Sequence, residues 1–281
     1  MEATIQYIKE ELKETHSGNE IKEIIKLIFW EIRGYSYTDI YLKSHELLTS
    51  EEREKVHTMV SRLKKSEPLQ YVLGRMEFHG MVLHVNDSVL IPRPETEEMV
   101  QWIISGQRNP PGIIMDIGTG SGCIALSLKK TFVSSSVLGC DISEKAIKVA
   151  RENAGLNHLD VQFFVSDILK WGEFRNWIKA DIIVSNPPYV TEMEKIHLGK
   201  NVADFEPYLA LFVPDSDPLL YYRHIAEFCG VWLNKGGQLF FEINELYGSD
   251  VVNMLECKKF TRIELRKDIR GKNRMVRAFL E

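Results

Sequence analysis

Ile113-Ile114-Met115-Asp116-Ile117-Gly118-Thr119-Gly120-Ser121-Gly122-Cys123-Ile124-Ala125-Leu126-Ser127-Leu128 runs from an apolar strand-like stretch, through three glycines, into a helical pattern. Apolar residues up to Asp116 suit a strand, and the glycines permit a sharp turn and close backbone approach to a ligand. The spacing is G-x-G-x-G, not the G-x-G-x-x-G of a pyrophosphate-binding turn. A tight strand-to-helix turn without a ligand is the plain alternative.

Strand and helix alternate on either side of this stretch. Ile113 to Asp116, Val137 to Asp141, Val161 to Val165 and Asp181 to Ser185 read as strands, with helices between them. Ser143 is placed to cap the helix carrying Ala146, Ile147 and Ala150, and Asp217-Pro218 to open the helix that runs through Leu233. A strand at Gln238 to Ile243 and a helix through Val251, Val252 and Leu255 follow. Thr261 to Arg266 and Arg274 to Leu280, joined around Gly271, then predict a terminal antiparallel hairpin. The fold class is therefore α/β, a mostly parallel sheet ending in an antiparallel hairpin.

The front of the chain differs. Ile5, Ile8 and Leu12, then Ile21, Ile24, Ile25, Ile28 and Ile32 before Gly34, recur at helical spacing. Thr49 and Glu52 form a capping box for a third segment through Val56, Val60 and Leu63, and Pro68 is expected to close this helical unit. Met76 to Val85, around His79-Gly80, suits a short hairpin. The expected organisation is a small helical domain over residues 1–74, a hairpin connector over 75–88 and the α/β domain over 89–281. Pro92 and Pro94 fix an extended approach to a helix whose first turn carries Glu95, Glu97 and Glu98.

The chain has 281 residues, 44% hydrophobic and 27% charged, as in an ordinary globular protein. Its net charge of -5 and pI near 6.0 disfavour a broad grip on a phosphate backbone and favour a protein or small-molecule substrate. Neither a leader-like N-terminus nor a run of roughly 18 apolar residues stands out, so a cytoplasmic location with no membrane partner is expected. Cys123, Cys140, Cys229 and Cys257 are widely spaced without a C-x-x-C pair, which favours buried thiols over disulfides or a metal site.

Ser185-Asn186-Pro187-Pro188-Tyr189-Val190 carries the chemistry. An amide, two rigid prolines and an aromatic ring stand where a strand ends, and α/β sheets bind ligands there. Such a turn suits a planar NH2 group. Asp141 ends the second strand, where a carboxylate accepts from the hydroxyls of a ribose or simply opens the following helix. Asp167 could accept from an adenine amino group, with Ile168 covering the ring, or cap a helix. Thr191 to Asp217 lacks clear periodicity, and so long a loop points to function.

The Gly118 to Gly122 loop, Asp141 and the Asn186-Pro187-Pro188-Tyr189 turn resemble class I S-adenosylmethionine-dependent methyltransferases, a Rossmann-like fold, that modify a planar nitrogen. With the helical front, the Leu90-Ile91-Pro92-Arg93-Pro94-Glu95-Thr96-Glu97 segment and Phe205-Glu206-Pro207, nearly the whole chain is similar to the peptide chain release factor glutamine methyltransferases (PrmC/HemK). The Asn-Pro-Pro-Tyr turn alone would also fit adenine or guanine amino methyltransferases.

That resemblance implies methylation of the glutamine side chain in the Gly-Gly-Gln motif of translation termination factors. Gly118, Thr119, Gly120, Ser121 and Gly122 would hold S-adenosylmethionine, Asp141 its ribose, and Asp167, Ile168 and Asn186 would contribute to the cofactor pocket. Asn186, Pro187, Pro188 and Tyr189 would hold the glutamine. Relatives can carry an aromatic residue at the position of Ile168, which here provides apolar cover instead. For catalysis, the Asn186 oxygen and the Pro187 carbonyl would accept the two amide hydrogens while Tyr189 packs against the glutamine, with no dedicated general base. Release factors are the expected partners, recognised by the N-terminal helices, without direct nucleic acid. The alternatives are a ribosomal-protein glutamine or a nucleic-acid base as substrate, and a non-catalytic cofactor- or NAD-binding module.

Overall fold

The computed structural model describes residues 1–173 and 177–281. The chain divides into two compact units, Met1–Arg75 with Gly199–Phe205, and Met76–Leu198 with Glu206–Glu281.

The first unit holds α1 (Glu2–Leu12), α2 (Gly18–Arg33), α3 (Tyr37–Leu42), α4 (Ser50–Leu63) and α5 (Leu69–Leu73). Its sequence writes the helix starts. Ser17 with Glu20, Ser36 with Asp39 and Thr49 with Glu52 form reciprocal capping boxes, each satisfying backbone donors that a helix leaves unpaired. Gly34, at φ 67°, ends α2 in the left-handed conformation. Ile8, Leu12, Ile24, Ile28, Val60 and Leu63 pack into one core. Pro68 does not close the unit as expected; it immediately precedes α5, where a fixed φ suits the opening of a helix.

The second unit begins with the hairpin β1 (Arg75–Phe78) and β2 (Met81–His84), followed by α6 (Pro94–Gly106), β3 (Ile113–Ile117), α7 (Cys123–Thr131), β4 (Ser136–Asp141), α8 (Glu144–Leu156), β5 (Gln162–Val165) and β6 (Ala180–Ser185). The aperiodic stretch after β6 folds as short pieces, among them β7 (Val190–Thr191), α10 (Tyr208–Leu211) and β8 (Phe212–Val213) in this unit, while α9 (Lys200–Ala203) belongs to the first. Next come α11 (Leu220–Trp232), β9 (Leu233–Glu242), α12 (Gly248–Cys257), β10 (Phe260–Lys267) and β11 (Asn273–Leu280). The helix α11 starts at Leu220 and not at Pro218, because the Asp217 carboxylate is held by Arg223 and the Asp217 carbonyl accepts from Leu220 N.

Among the described residues seven strands form one sheet in the order β10-β11-β9-β6-β3-β4-β5. The strands β9, β6, β3, β4 and β5 run parallel, and β11 is antiparallel to both β9 and β10. This is the expected parallel sheet with a terminal hairpin. Alternation along each strand supplies both faces: Ile114, Ile182, Val184 and Phe240 join α6, α7 and α8 in one core, while Met115, Ile183, Leu239 and Phe241 join α11 and α12 in the other. Each such side chain, fully buried, contributes about 1.5–3 kcal/mol. The first hairpin is fastened to α8 by Asn153, whose Oδ1 accepts from His84 N at 2.6 Å and whose Nδ2 donates to His84 O at 3.0 Å.

Of the four cysteines, Cys123, Cys140 and Cys229 are buried free thiols; Cys257, at the end of α12, is exposed, contrary to expectation. Among the described residues no helix is long and apolar enough to cross a membrane.

Candidate active site

The chain order reverses at β3, with β4 on one side and β6 on the other. The carboxyl ends of parallel strands splay at such a point and leave a crevice. A cavity of about 290 Å³ occupies it, lined by residues that follow β3, β4, β5 and β6: Gly118 to Ser121, Asp141, Asp167 and Ile168, and Asn186 to Pro188. These expected site residues therefore meet in one place. Gly122 and Tyr189 do not line the cavity.

The glycine loop is shaped from beneath. Gly118, Gly120 and Gly122 stand at φ 70°, 54° and 82°, a region where a Cβ is penalised. Gly118 N and Thr119 N both donate to Cys140 O at 2.9 Å, and Thr119 Oγ1 donates to Asp116 Oδ2 at 2.6 Å. Asp116 is wholly buried. Desolvation, aided by the nearby charge of Asp141, pushes its carboxyl up to about 7 despite the bonds from Thr119 and Ala125 N. Gly122 is a packing position: a Cβ there would lie 3.1 Å from the Phe163 ring and 3.2 Å from Ala150.

Asp141 closes the loop from β4. Its Oδ2 accepts from Gly120 N at 2.9 Å and its Oδ1 from Ser143 N at 2.9 Å, leaving further lone-pair directions for a ligand. Burial raises its pKa, opposed by those backbone bonds. Asp167 accepts from Leu169 N at 2.9 Å and lines the cavity beside the buried Ile168. Among the described lining residues there is no Lys, Arg or His, while two are carboxylates. A pyrophosphate would meet net repulsion; a nucleoside bearing a cationic sulfonium fits. The same residues suit S-adenosylmethionine better than NAD. Among the described residues no group of three His, Cys, Asp or Glu side chains could hold a metal ion.

Asn186 forms the inner wall. Its Nδ2 donates to Thr96 Oγ1 at 3.2 Å, and its Oδ1 is buried without a partner among the described residues, an open acceptor of the kind a substrate NH2 would satisfy. Tyr189 is turned to the interior, where its hydroxyl donates to Glu242 Oε1 at 3.1 Å and its ring packs beside the α11 core. Burial first, then Glu242, raises its pKa. The turn is held on its far side by Asn244, whose Nδ2 donates to Tyr189 O at 3.1 Å.

Arg93 and Glu206, from two segments singled out in the sequence, form an ion pair, with Glu206 also accepting from Ile91 N at 3.2 Å. They bind the stretch containing Leu90 and Pro92 to the one containing Pro207 and Tyr208, all four of which line the cavity. The residues not foreseen are Thr96, Glu242 and Asn244. Thr96 stands in a segment whose prolines and acids carry the sequence signal, and Glu242 shows none beyond an acid at a strand end.

A model described as the PrmC N-terminal domain matches residues 3–74, and one described as the methyltransferase small domain matches 103–203. A release factor glutamine methyltransferase of Bacteroides thetaiotaomicron is 42% identical over 273 residues, 97% of each chain. Counterparts from Flavobacterium psychrophilum and Streptococcus pneumoniae are 42% and 39% identical, each over 92% of this chain. Among solved structures, a methyltransferase from Pyrococcus furiosus superposes with a TM-score of 0.52 at 17% identity, covering 71% of this chain and 89% of its own. The T. thermophilus 16S rRNA N2 G1207 methyltransferase in complex with AdoMet and guanosine also gives 0.52 at 17% identity, covering 74% and 50%. The structural likenesses carry the fold, class I methyltransferase, and the full-length sequence likeness carries the family. This chain is an S-adenosylmethionine-dependent methyltransferase and belongs to the release factor glutamine methyltransferase family.

Proposed function

We propose that this enzyme transfers a methyl group from S-adenosylmethionine to the side-chain amide nitrogen of the glutamine in the Gly-Gly-Gln motif of peptide chain release factors. The observation that carries the chemistry is the Asn186 Oδ1, without a partner among the described residues, at the wall of a cavity whose described lining has carboxylates and no cations. Relatives named for release factor glutamine methylation, matched along almost their whole length, supply the substrate.

An amide nitrogen is a poor nucleophile because its lone pair is delocalised into the carbonyl. Asn186 Oδ1 and the Pro187 carbonyl would accept its two hydrogens and orient the nitrogen toward the methyl group. Fixed acceptors also favour the positive charge that develops on nitrogen as its bond to the methyl group forms and the sulfur–methyl bond breaks, a charge removed when one of the two amide protons is released to solvent. Pro187 and Pro188 keep the turn from relaxing. Asp141 would hold the ribose, Asp167 and Ile168 the adenine, and Gly118 to Ser121 the rest of the cofactor, which supplies the electrophilic methyl group. Tyr189 serves by bracing the turn from behind, and the N-terminal helices would recognise the release factor.

Asn186→Ala tests the reading. Methyl transfer to a purified release factor should fall at least about 100-fold, in the range of one lost transition-state hydrogen-bonding group, while S-adenosylmethionine affinity changes little. Undiminished turnover would reject Asn186 as the amide acceptor.

A further inference from the structure

Behind the Asn186 turn, side chains from distant parts of the chain share a small number of protons. The Thr96 hydroxyl, in the first turn of α6, has one hydrogen and lies 2.6 Å from Glu242 Oε2 at the end of β9. A carboxylate is the strongest acceptor in reach, so that hydrogen goes to Glu242 and Thr96 Oγ1 must accept. What it accepts is the Asn186 NH2, at 3.2 Å. Tyr189 places its own hydrogen on the other carboxylate oxygen, at 3.1 Å. With Nδ2 committed to Thr96, Oδ1 is the end of the amide left open. Thr96 and Glu242 are each 1% exposed, so bulk water does not substitute for either.

We propose that Glu242 is a positioning residue which, acting through Thr96, sets Asn186 with its oxygen and not its NH2 toward the incoming amide. The inference rests on the reading of Asn186 as an amide acceptor. It makes the polarity of the chain depend on one charge. An ionised Glu242 turns both hydroxyls into donors toward itself. A neutral carboxyl gives its hydrogen to Thr96, which passes its own to Asn186; the amide turns over and presents a donor to a substrate that also brings donors.

The surroundings of the carboxylate bear on that charge. Besides Thr96 and Tyr189, the Arg274 guanidinium on β11 favours ionisation and Glu95 on α6 opposes it, while the Tyr222 hydroxyl donates to the Glu242 backbone carbonyl at 3.3 Å. The nearby Cys123 thiol also senses the carboxylate. Burial outweighs the favourable partners and raises the Glu242 pKa above its usual 4.5, which brings the reversal into reach of a pH titration.

The test compares Thr96→Val, Thr96→Ser and Glu242→Gln with Asn186→Ala, measuring single-turnover methylation of a release factor and calorimetric affinity for S-adenosylmethionine. Thr96→Val should slow transfer about 10–100-fold, as expected for a misaligned reacting group, with cofactor affinity retained. Thr96→Ser should restore the rate, and Glu242→Gln should abolish the acid limb of the rate profile. The proposal is overturned if Thr96→Val turns over at the native rate while Asn186→Ala does not, or if it loses rate and cofactor affinity together. Should Thr96→Val fail to fold, an unchanged acid limb in Glu242→Gln overturns it instead. An active Asn186→Ala rejects the amide-acceptor reading itself and takes this inference with it.

Discussion

The Asn186 side-chain amide donates to the Thr96 hydroxyl at 3.2 Å, across 90 residues of sequence, and so ties the turn after β6 to the first turn of α6. Two walls of the cavity are thereby fixed before any ligand arrives. Preorganisation of this kind avoids reorganising dipoles during methyl transfer, and it explains why an otherwise ordinary proline turn holds an acceptor without a partner among the described residues.

Asp141 should govern cofactor affinity. It braces Gly120 N and Ser143 N and has lone pairs to spare. Asp141→Ala should weaken S-adenosylmethionine binding by a factor of about 10–100, corresponding to about 1.5–3 kcal/mol for hydrogen bonds to a charged group. Isothermal calorimetry reads this directly, and an unchanged affinity would exclude the ribose role.

The buried Asp116 should leave a mark on stability against pH. Its folded pKa, about 7, lies above the ordinary 3.8, so the folded state binds the proton more tightly. That contribution is fully present below pH 3.8 and is lost as the pH rises through about 7. Asp116→Asn, which cannot ionise, should show a flatter decline in unfolding midpoint between pH 5 and pH 8 than the native chain. Parallel declines would show that the carboxyl is not the group responsible.

Gly139 in β4 is a position where a single methyl group matters. A Cβ there would stand 2.6 Å from the Phe163 ring and 2.8 Å from Thr119 Oγ1, and Thr119 is the residue that bonds Asp116. Gly139→Ala should cost about 1–3 kcal/mol, the range for overpacking, and lower the thermal midpoint. A midpoint equal to the native one would mean that Phe163 yields without cost.

Glu206 should hold the cavity rim. Glu206→Ala leaves Ile91 N without its acceptor and Arg93 without its counter-charge. Because Arg93 is partly solvated, the expected loss is about 1–3 kcal/mol, that of an unsatisfied buried group, measurable by urea unfolding. Glu206→Gln should recover part of it by retaining an acceptor.

Much of this was readable from local patterns, for physical reasons. Apolar runs such as Ile113 to Asp116 and Asp181 to Ser185 are strands because the sheet is covered on both faces, and the capping box of Thr49 with Glu52 marks a helix start that needs no tertiary partner. Gly118, Asp141 and Asn186 were visible because strand ends of a parallel sheet converge on one edge. Thr96 and Glu242 were not, since their pairing spans 146 residues and exists only once α6 packs beside β9. Tyr189 was expected against the glutamine, yet its hydroxyl faces Glu242; sequence shows that a ring is present, while the direction it takes depends on an acid far along the chain. Asp217 failed as a helix cap for a related reason, its carboxylate being drawn to Arg223.

The proposed activity is tested most directly by mass spectrometry of purified release factors incubated with the enzyme and isotopically labelled S-adenosylmethionine, with ribosomal proteins and RNA oligonucleotides as parallel substrates. One labelled methyl group on the glutamine of the Gly-Gly-Gln motif, absent with Asn186→Ala, is the expected result. A methyl group on any other residue, or on RNA with the release factor unmodified, would contradict it.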